Sequence, residues 1–326
     1  MKKFGTALAQ IMRFCVLMLL AGVALAQQNY PSRPIHFIVP FPPGGSTDPI
    51  ARLAGQKLAE SWNNPVIVDN RPGGNTVIGT ELAARAAPDG YTIYLLSTTQ
   101  LALPALNSKL PYDVAKDFAC VATLSSTPNV LVVNPSVPAH NLKEFIALAK
   151  SKPGELTFGT SGNGSAIHMS TELFNIVAGT KMQHVPYKGS GPVVSDLIGG
   201  QIQLSFQTPV AIISHVKAGK LRAIATSGET RFASLPQVPT FAEAGLPGYD
   251  YKGWFGVLAP AATPRAIIDK MSAEFIKILR TADMREKLLN QGMDPLILSP
   301  EETTVLMKKD IARYATIVKS ANIKFE

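Results

Sequence analysis

From Ile35 onward the chain alternates short runs of consecutive apolar residues with longer stretches whose apolar positions recur every three or four residues. IHFIV is followed by IARLAGQKLAESW, VIVDN by TVIGTELAARAA, and then comes YTIYLLS. Unbroken Ile- and Val-rich runs of this length suit strands buried on both faces, and the three-to-four spacing suits the helices that cover them. The pattern predicts strand-crossover-helix units that build a mainly parallel sheet. The alternation restarts after NVLVVNP with LKEFIALAKSK, LTFGTS, AIHMSTELFNIVAG, MQHVPY, VVSDLIGG, IQLSFQ, AIISHVKAG and LRAIATS, so two α/β sheets are expected rather than one.

Helix boundaries are locally signalled: Asn141 precedes LKEF, Pro264 precedes RAIIDKMSAEFIKILR, and Gly179, Gly199 and Gly219 follow helices. The tail opens with the apolar strand GWFGVLAP and continues with two helical stretches, the last ending in TTVLMKKDIARYATIVKSAN. A tail that returns to cover the first lobe crosses between lobes a second time, and paired crossings make a hinge. The expected organisation is a first lobe of residues 27–127 plus 254–326 and a second lobe of residues 128–253.

The N-terminus stands apart from this pattern. Lys2, Lys3 and Arg13 lie before or beside the apolar run FCVLMLLAGVALA, and Ala24-Leu25-Ala26 has the small-x-small form of a signal-peptidase site. Residues 1–26 are read as a cleaved secretory signal peptide, because the apolar run falls short of the roughly 20 residues that span a bilayer. Of the two cysteines, Cys15 lies inside that signal and Cys120, in DFACVATL, reads as a small buried hydrophobe. The mature fold therefore relies on its core and not on a disulfide. The formal net charge of +8 is spread without Arg/Lys blocks or interleaved aromatics, which speaks against nucleic acid as a partner. Five histidines are scattered without HExxH or paired CxxC spacing, so no metal and no other cofactor is expected.

Candidate chemistry concentrates at strand-to-helix junctions, where open α/β sheets bind their ligands. In PFPPGGSTD, between IHFIV and the next helix, Pro42 and Pro43 stiffen the approach, and Gly44 and Gly45 permit backbone angles that a Cβ would forbid. Ser46, Thr47 or Asp48 can cap the helix. In the second half LTFGTS runs into Gly162-Asn163-Gly164-Ser165 and the helix AIHMSTELF. Bare amides at a helix N-terminus favour an anion, and two such loops, one per lobe, can grip one anionic group from opposite sides. His168, one turn into that helix, is a further candidate. Gly74 to Thr80 has P-loop glycine spacing without the lysine, and Ser165 lacks a G-x-S-x-G elbow, so neither nucleotide chemistry nor hydrolysis is expected.

The segments YPSRPIHFIVPFPPGGSTD, VIVDNRPGG, LPYDVAKDFA, FGTSGNGSAIHMSTELF, VPYKGSGPVVSDLIGGQI, GKLRAIATSGETRFASLPQVPTFAEAGLPGYDY and WFGVLAP carry a resemblance along nearly the whole mature length. The chain resembles the Bug-type extracytoplasmic solute receptors of the tripartite tricarboxylate transporter system. That resemblance implies a type II periplasmic binding protein: two α/β lobes, joined by a two-strand hinge, that close on one small carboxylate and deliver it to integral-membrane transporter subunits. A monomeric, non-enzymatic periplasmic receptor for a mono- or dicarboxylate is expected, with a receptor for an aromatic carboxylate or a ligand-presenting component of a signalling system as the alternative.

The resemblance also implies the site: Phe41, Pro43, Gly44, Gly45, Ser46, Thr47 and Asp48 from the first loop, and Ser161, Gly162, Asn163, Gly164 and Ser165 from the second, with His168 joining them by its place in the helix. Ser97, Thr98, Thr99 and Tyr187 are added from neighbouring strand ends. Gln207 completes the set and departs from the family, where an aspartate often follows the strand phenylalanine; a neutral amide offers no counter-charge to an ammonium group, so amino-acid ligands are not expected. The segment TTQLALPALN also departs from the family, and Leu101 and Leu103 are expected to admit a flatter, more hydrophobic body, such as an aromatic carboxylate. Arg71 is read as structural.

Overall fold

Three strand-to-helix units open the chain. In the computed structural model, which describes residues 30–43, 47–232 and 234–323, β1 (Ile35–Val39) leads to α1 (Asp48–Trp62), β2 (Val66–Asn70) to α2 (Val77–Ala84), and β3 (Thr92–Ser97) to α3 (Thr98–Leu106). β1 pairs in parallel with both β2 and β3, as strands joined through a crossover helix do. After β4 (Phe118–Pro128) the chain builds the second sheet from β5 (Val130–Val133), α4 (Leu142–Ser151), β6 (Thr157–Thr160), α5 (Ala166–Ala178), β7 (Gln183–Pro186), α6 (Ser190–Ile198), β8 (Leu204–Gln207), α7 (Pro209–Lys217) and β9 (Arg222–Thr226). It returns through β10 (Lys252–Pro260) and finishes with α8 (Arg265–Leu279), α9 (Ala282–Asn290), β11 (Asp294–Pro295) and α10 (Pro300–Ser320).

The strand orders are β11-β4-β10-β3-β1-β2 and β7-β6-β8-β5-β9. Set side by side, β2-β1-β3-β10-β4 and β7-β6-β8-β5-β9 are the same arrangement twice. In each sheet the fourth position is taken by a strand arriving from the other lobe, and it runs antiparallel to both neighbours. In each sheet that fourth strand is the first one formed after the chain crosses over. Only Asn129 separates β4 from β5, and Lys252 at the start of β10 lies opposite Pro128 at the end of β4. The two crossings therefore lie side by side, which is the two-strand hinge of the type II periplasmic binding-protein fold.

The tail departs from expectation in two ways. It holds three helices and not two, because Thr281 accepts a bond from Met284 N at 3.3 Å and so starts α9 directly after α8. It also does more than cover the first lobe: α10 packs on α3 and reaches α5 of the second lobe. Trp254 Nε1 donates to the buried Asp310 carboxylate at 2.8 Å, and Arg313 donates to the Asp250 carbonyl at 2.8 Å, so α10 is tied to the returning crossing. A buried indole N–H needs such an acceptor.

The core spans both lobes. One cluster joins Tyr94, Leu101 and Phe118 to Leu131, Phe158, Phe174 and Phe206, while another, on the far face of the first sheet, holds Ile35, Phe37 and Val39 against Ile268 and Phe275. Leu101 and Leu103 are fully buried, Leu101 within the first cluster. Cys120 lies in the same cluster, where burial raises its thiol pKa. Among the described residues no helix is long and apolar enough to cross a membrane.

Candidate functional site

The first-lobe loop is pinned at both ends by one side chain. Asn70 Nδ2, at the end of β2, donates to the Phe41 carbonyl at 3.1 Å and to Asp48 Oδ1 at 2.9 Å. Asp48 Oδ2 also accepts from Arg52 Nε at 2.8 Å. The Asp48 carboxylate thus anchors the start of α1; meeting an anion directly would set two negative charges together. Phe41 is half-buried, Pro43 is exposed and Thr47 is buried as the N-terminal neighbour of α1. Gly44, Gly45 and Ser46, the centre of the expected anion loop, lie outside the described residues, as does the expected signal peptide. Arg71 pairs with Asp69 at 2.9 Å, and its N–H bonds to the Val39 carbonyl at 2.8 Å, in keeping with a structural role.

Ser97, Thr98 and Thr99 end β3 and begin α3, all buried. Gln100 Oε1 accepts from both the N–H and the hydroxyl of Ser97 at 2.8 Å. The spacing S-x-x-Q announces such a capping pair, and it was the available signal for a helix that the sequence reading passed over.

A third element was missed. The loop after β2 carries four successive positive φ angles, Gly73 at 126°, Gly74 at 56°, Asn75 at 52° and Thr76 at 77°. A β-branched residue at such an angle stores strain, a recurrent feature of functional loops. Asn75 Nδ2 reaches the Asn163 carbonyl of the second-lobe loop at 3.4 Å. Nothing in the residue type of Thr76 announces this backbone, although asparagine tolerates it.

The second-lobe loop rests on a stack of rings. Phe158, His184 and His168 lie in succession, with centroids 5.1 and 3.8 Å apart. Gly164 N donates to His168 Nδ1 at 3.1 Å, Ser165 Oγ caps α5 by accepting from His168 N at 3.3 Å, and Thr160 Oγ1 lies 2.6 Å from His184 Nε2. His168 was expected to face the ligand; it is 3 % exposed and instead holds the loop from beneath. Because Nδ1 accepts, its neutral ring carries its proton on Nε2, which lies 3.8 Å from Glu172. Gly162 and Gly164, at φ 129° and 73°, shape the turn, but the Gly164 N–H is committed to the imidazole. The N–H groups of Ala166 and Ile167, in the first turn of α5, have no intrahelical carbonyl to bond.

Strand register gathers the remaining candidates. Phe158 lies level with Leu204 and Thr160 with Pro186. Continuing both pairings puts Ser161 between Gln207 and Tyr187. Gln207 is itself level with Val130, the first residue beyond the hinge. One transverse row at the edge of the second sheet thus holds Tyr187, Ser161 and Gln207. Tyr187 donates its hydroxyl to Asp196 at 2.7 Å. Gln207 is fully buried.

The imidazole pair has a measurable consequence. Burial, reinforced by the neighbouring imidazole, pushes His168 down to about 3, and burial pushes His184 down to about 4. The unfolded chain has imidazoles near 6.5, so it takes up protons that the folded state refuses as pH falls below about 6.5. Stability is complete above that value and declines towards pH 4, by up to about 1.4 kcal/mol per pH unit for each ring. Burial raises the pKa of Glu172, which works in the opposite sense: its contribution is present at low pH and lost as pH rises through its raised value. The expected result is a melting temperature that falls between pH 6.5 and 4.5, with a shallower fall in His184→Phe, which keeps the stack and takes no proton. Equal slopes in scanning calorimetry would remove His184 from this role.

Residues 50–323 match the family described as "Tripartite tricarboxylate transporter family receptor". Protein BugT of Bordetella pertussis is 39% identical over 310 residues, 94% of this chain and 95% of that protein. A structure described as that of a periplasmic transporter superposes with a TM-score of 0.81 at 41% identity, covering 91% of this chain and all of the other. The R. palustris protein Rpa4515, solved with adipate, superposes with a TM-score of 0.82 at 34% identity, covering 91% and 99%. With two interleaved α/β sheets, loops meeting across the hinge and this similarity along almost its full length, the chain belongs to the family of tripartite tricarboxylate transporter receptors.

Proposed function

We propose that this receptor captures a small carboxylate between its lobes in the periplasm and delivers it, unchanged, to the membrane subunits of a tripartite tricarboxylate-type secondary transporter. Residues 1–26 serve as the export signal, and the lobes comprise 27–127 with 254–326, and 128–253. The reading rests on one observation above the others: a glycine loop at a helix N-terminus of the second lobe meets the first lobe directly, through Asn75 to Asn163 and through the side chain of Leu106 against Gly164. A head group lying between such loops is screened from water, where backbone dipoles act strongly on a negative charge. Gly45, Ser46 and Thr47 are the proposed ligand residues of the first lobe, and Ser161, Asn163 and the first turn of α5 those of the second. The adipate held by a relative at 34% identity fits this class of solute.

Ser165 serves as a helix cap, and the nearest imidazole spends Nδ1 on Gly164, an arrangement that supports capture over hydrolysis.

Thermal unfolding of the mature protein against a panel of mono-, di- and aromatic carboxylates tests the proposal. A cognate acid at a hundred times its Kd should stabilise the fold by about 2.7 kcal/mol. A panel in which no acid raises the melting temperature overturns the reading.

A further inference from the structure

Gln207 presents a buried polar atom whose direction is fixed by its neighbours. Its Nε2 donates to Ser205 Oγ at 2.8 Å, and Ser205 Oγ in turn donates to the Gly159 carbonyl at 2.7 Å. Turning the amide over would set Oε1 against a hydroxyl oxygen whose proton is already committed, so the orientation is locked. Oε1 therefore faces away from Ser205, and among the described residues it has no hydrogen-bond partner although the residue is fully buried. An unmet buried acceptor costs about 1–3 kcal/mol, so a group that satisfies it gains affinity that its absence forfeits.

The position of this atom says what it meets. Gln207 ends β8, where the Phe158–Leu204 register carried on three residues reaches Ser161, the residue that opens the second-lobe glycine loop. On the receptor reading, a carboxylate gripped by that loop would direct its first substituents towards this end of β8. A carboxylate oxygen there would face another acceptor, and an ammonium would be buried against a neutral amide with no counter-charge. An uncharged donor satisfies the atom without either cost.

We propose that Gln207 selects hydroxy-carboxylates, its Oε1 accepting the hydrogen bond of a hydroxyl on the carbon next to the captured carboxylate. The inference rests on the carboxylate-receptor reading and names the solute class within it.

Calorimetric titration of the mature receptor with matched triads decides the matter: lactate, propionate and alanine; malate, succinate and aspartate; 2-hydroxyhexanoate, hexanoate and norleucine; mandelate, phenylacetate and phenylglycine. In the triad that fits the cleft, the hydroxy acid should bind at least about tenfold tighter than the acid lacking the hydroxyl, with the amino acid weakest. Gln207→Met should erase that preference, bringing the ratio of the two affinities to within about threefold of one whatever their absolute values. Gln207→Glu, which keeps size and acceptor and adds charge, should move the preference towards the amino acid, and it reads the position even if the methionine variant does not fold. If carboxylates bind with no preference for the hydroxyl, or the preference survives in Gln207→Met, this inference falls and the receptor reading stands. If no member of any triad and no other carboxylate binds, both fall.

Discussion

Gly79→Ala should destabilise the protein by about 2–3 kcal/mol, the range of a core forced to accept an extra methyl. A Cβ on Gly79 would stand 2.5 Å from the Arg71 carbonyl oxygen and 3.0 Å from Pro40 Cα. Both are backbone atoms, and neither can swing aside as a side chain would. The glycine lets α2 lie directly on the chain leaving β1 and β2, the same segments that carry the first-lobe loop. Gly191→Ala is the control: it sits in α6 with nothing within 4 Å of its would-be Cβ, and alanine's better helix propensity should make it neutral or slightly stabilising. Urea unfolding reads both as midpoint shifts at constant slope. A Gly79→Ala midpoint within error of the parent would show that α2 does not pack as described.

Gly164→Ala should weaken carboxylate binding by at least about tenfold while costing the unliganded fold only about 1–2 kcal/mol, the penalty of a left-handed backbone for a residue with a Cβ. Its φ is 73°, and its Cβ would collide with Leu106 Cδ1 of the opposite lobe. The collision opposes closure, and the backbone penalty disturbs the turn that carries the loop. The two contributions separate in the double variant with Leu106→Ala, where the room restored should recover part of the affinity and the φ penalty should remain. Unchanged affinity in Gly164→Ala would mean that ligand capture does not bring these two surfaces together. A double variant no better than the single would place the whole effect in the backbone.

Much of the architecture was legible because its signals are local. Runs such as IHFIV and LTFGTS could hardly be anything but buried strands, and Gly-rich punctuation after them marked the loops that meet across the hinge. The tail was less legible: α9 begins one residue after α8, and only the Thr281 cap divides what reads as a continuous helical pattern. In the site, the sequence names candidate residues but not the directions of their side chains. His168 follows the glycine loop by spacing that puts it near a ligand, yet its ring turns under the loop because Gly164 N–H and the His184 ring give a buried imidazole its partners. Asp48 is an acid at an expected anion site, and only its bonds to Asn70 and Arg52 show why it is tolerated there.

The sequence by itself determined the order of strands and helices, the repetition of one α/β unit in each half, and the placement of glycines where backbone must turn left-handed or come close. These follow from periodicity and from the stereochemistry of single residues, which act over a few positions. Tertiary structure alone decided that each sheet seats the strand just past a crossing as its fourth, that α10 is tied to the hinge through Asp310 and Arg313, and that Gln207 is buried at the end of β8 with one acceptor unmet. Those are pairings between residues far apart in the chain, and their energies depend on which distant groups fill the remaining hydrogen bonds and volume, information that no local pattern carries.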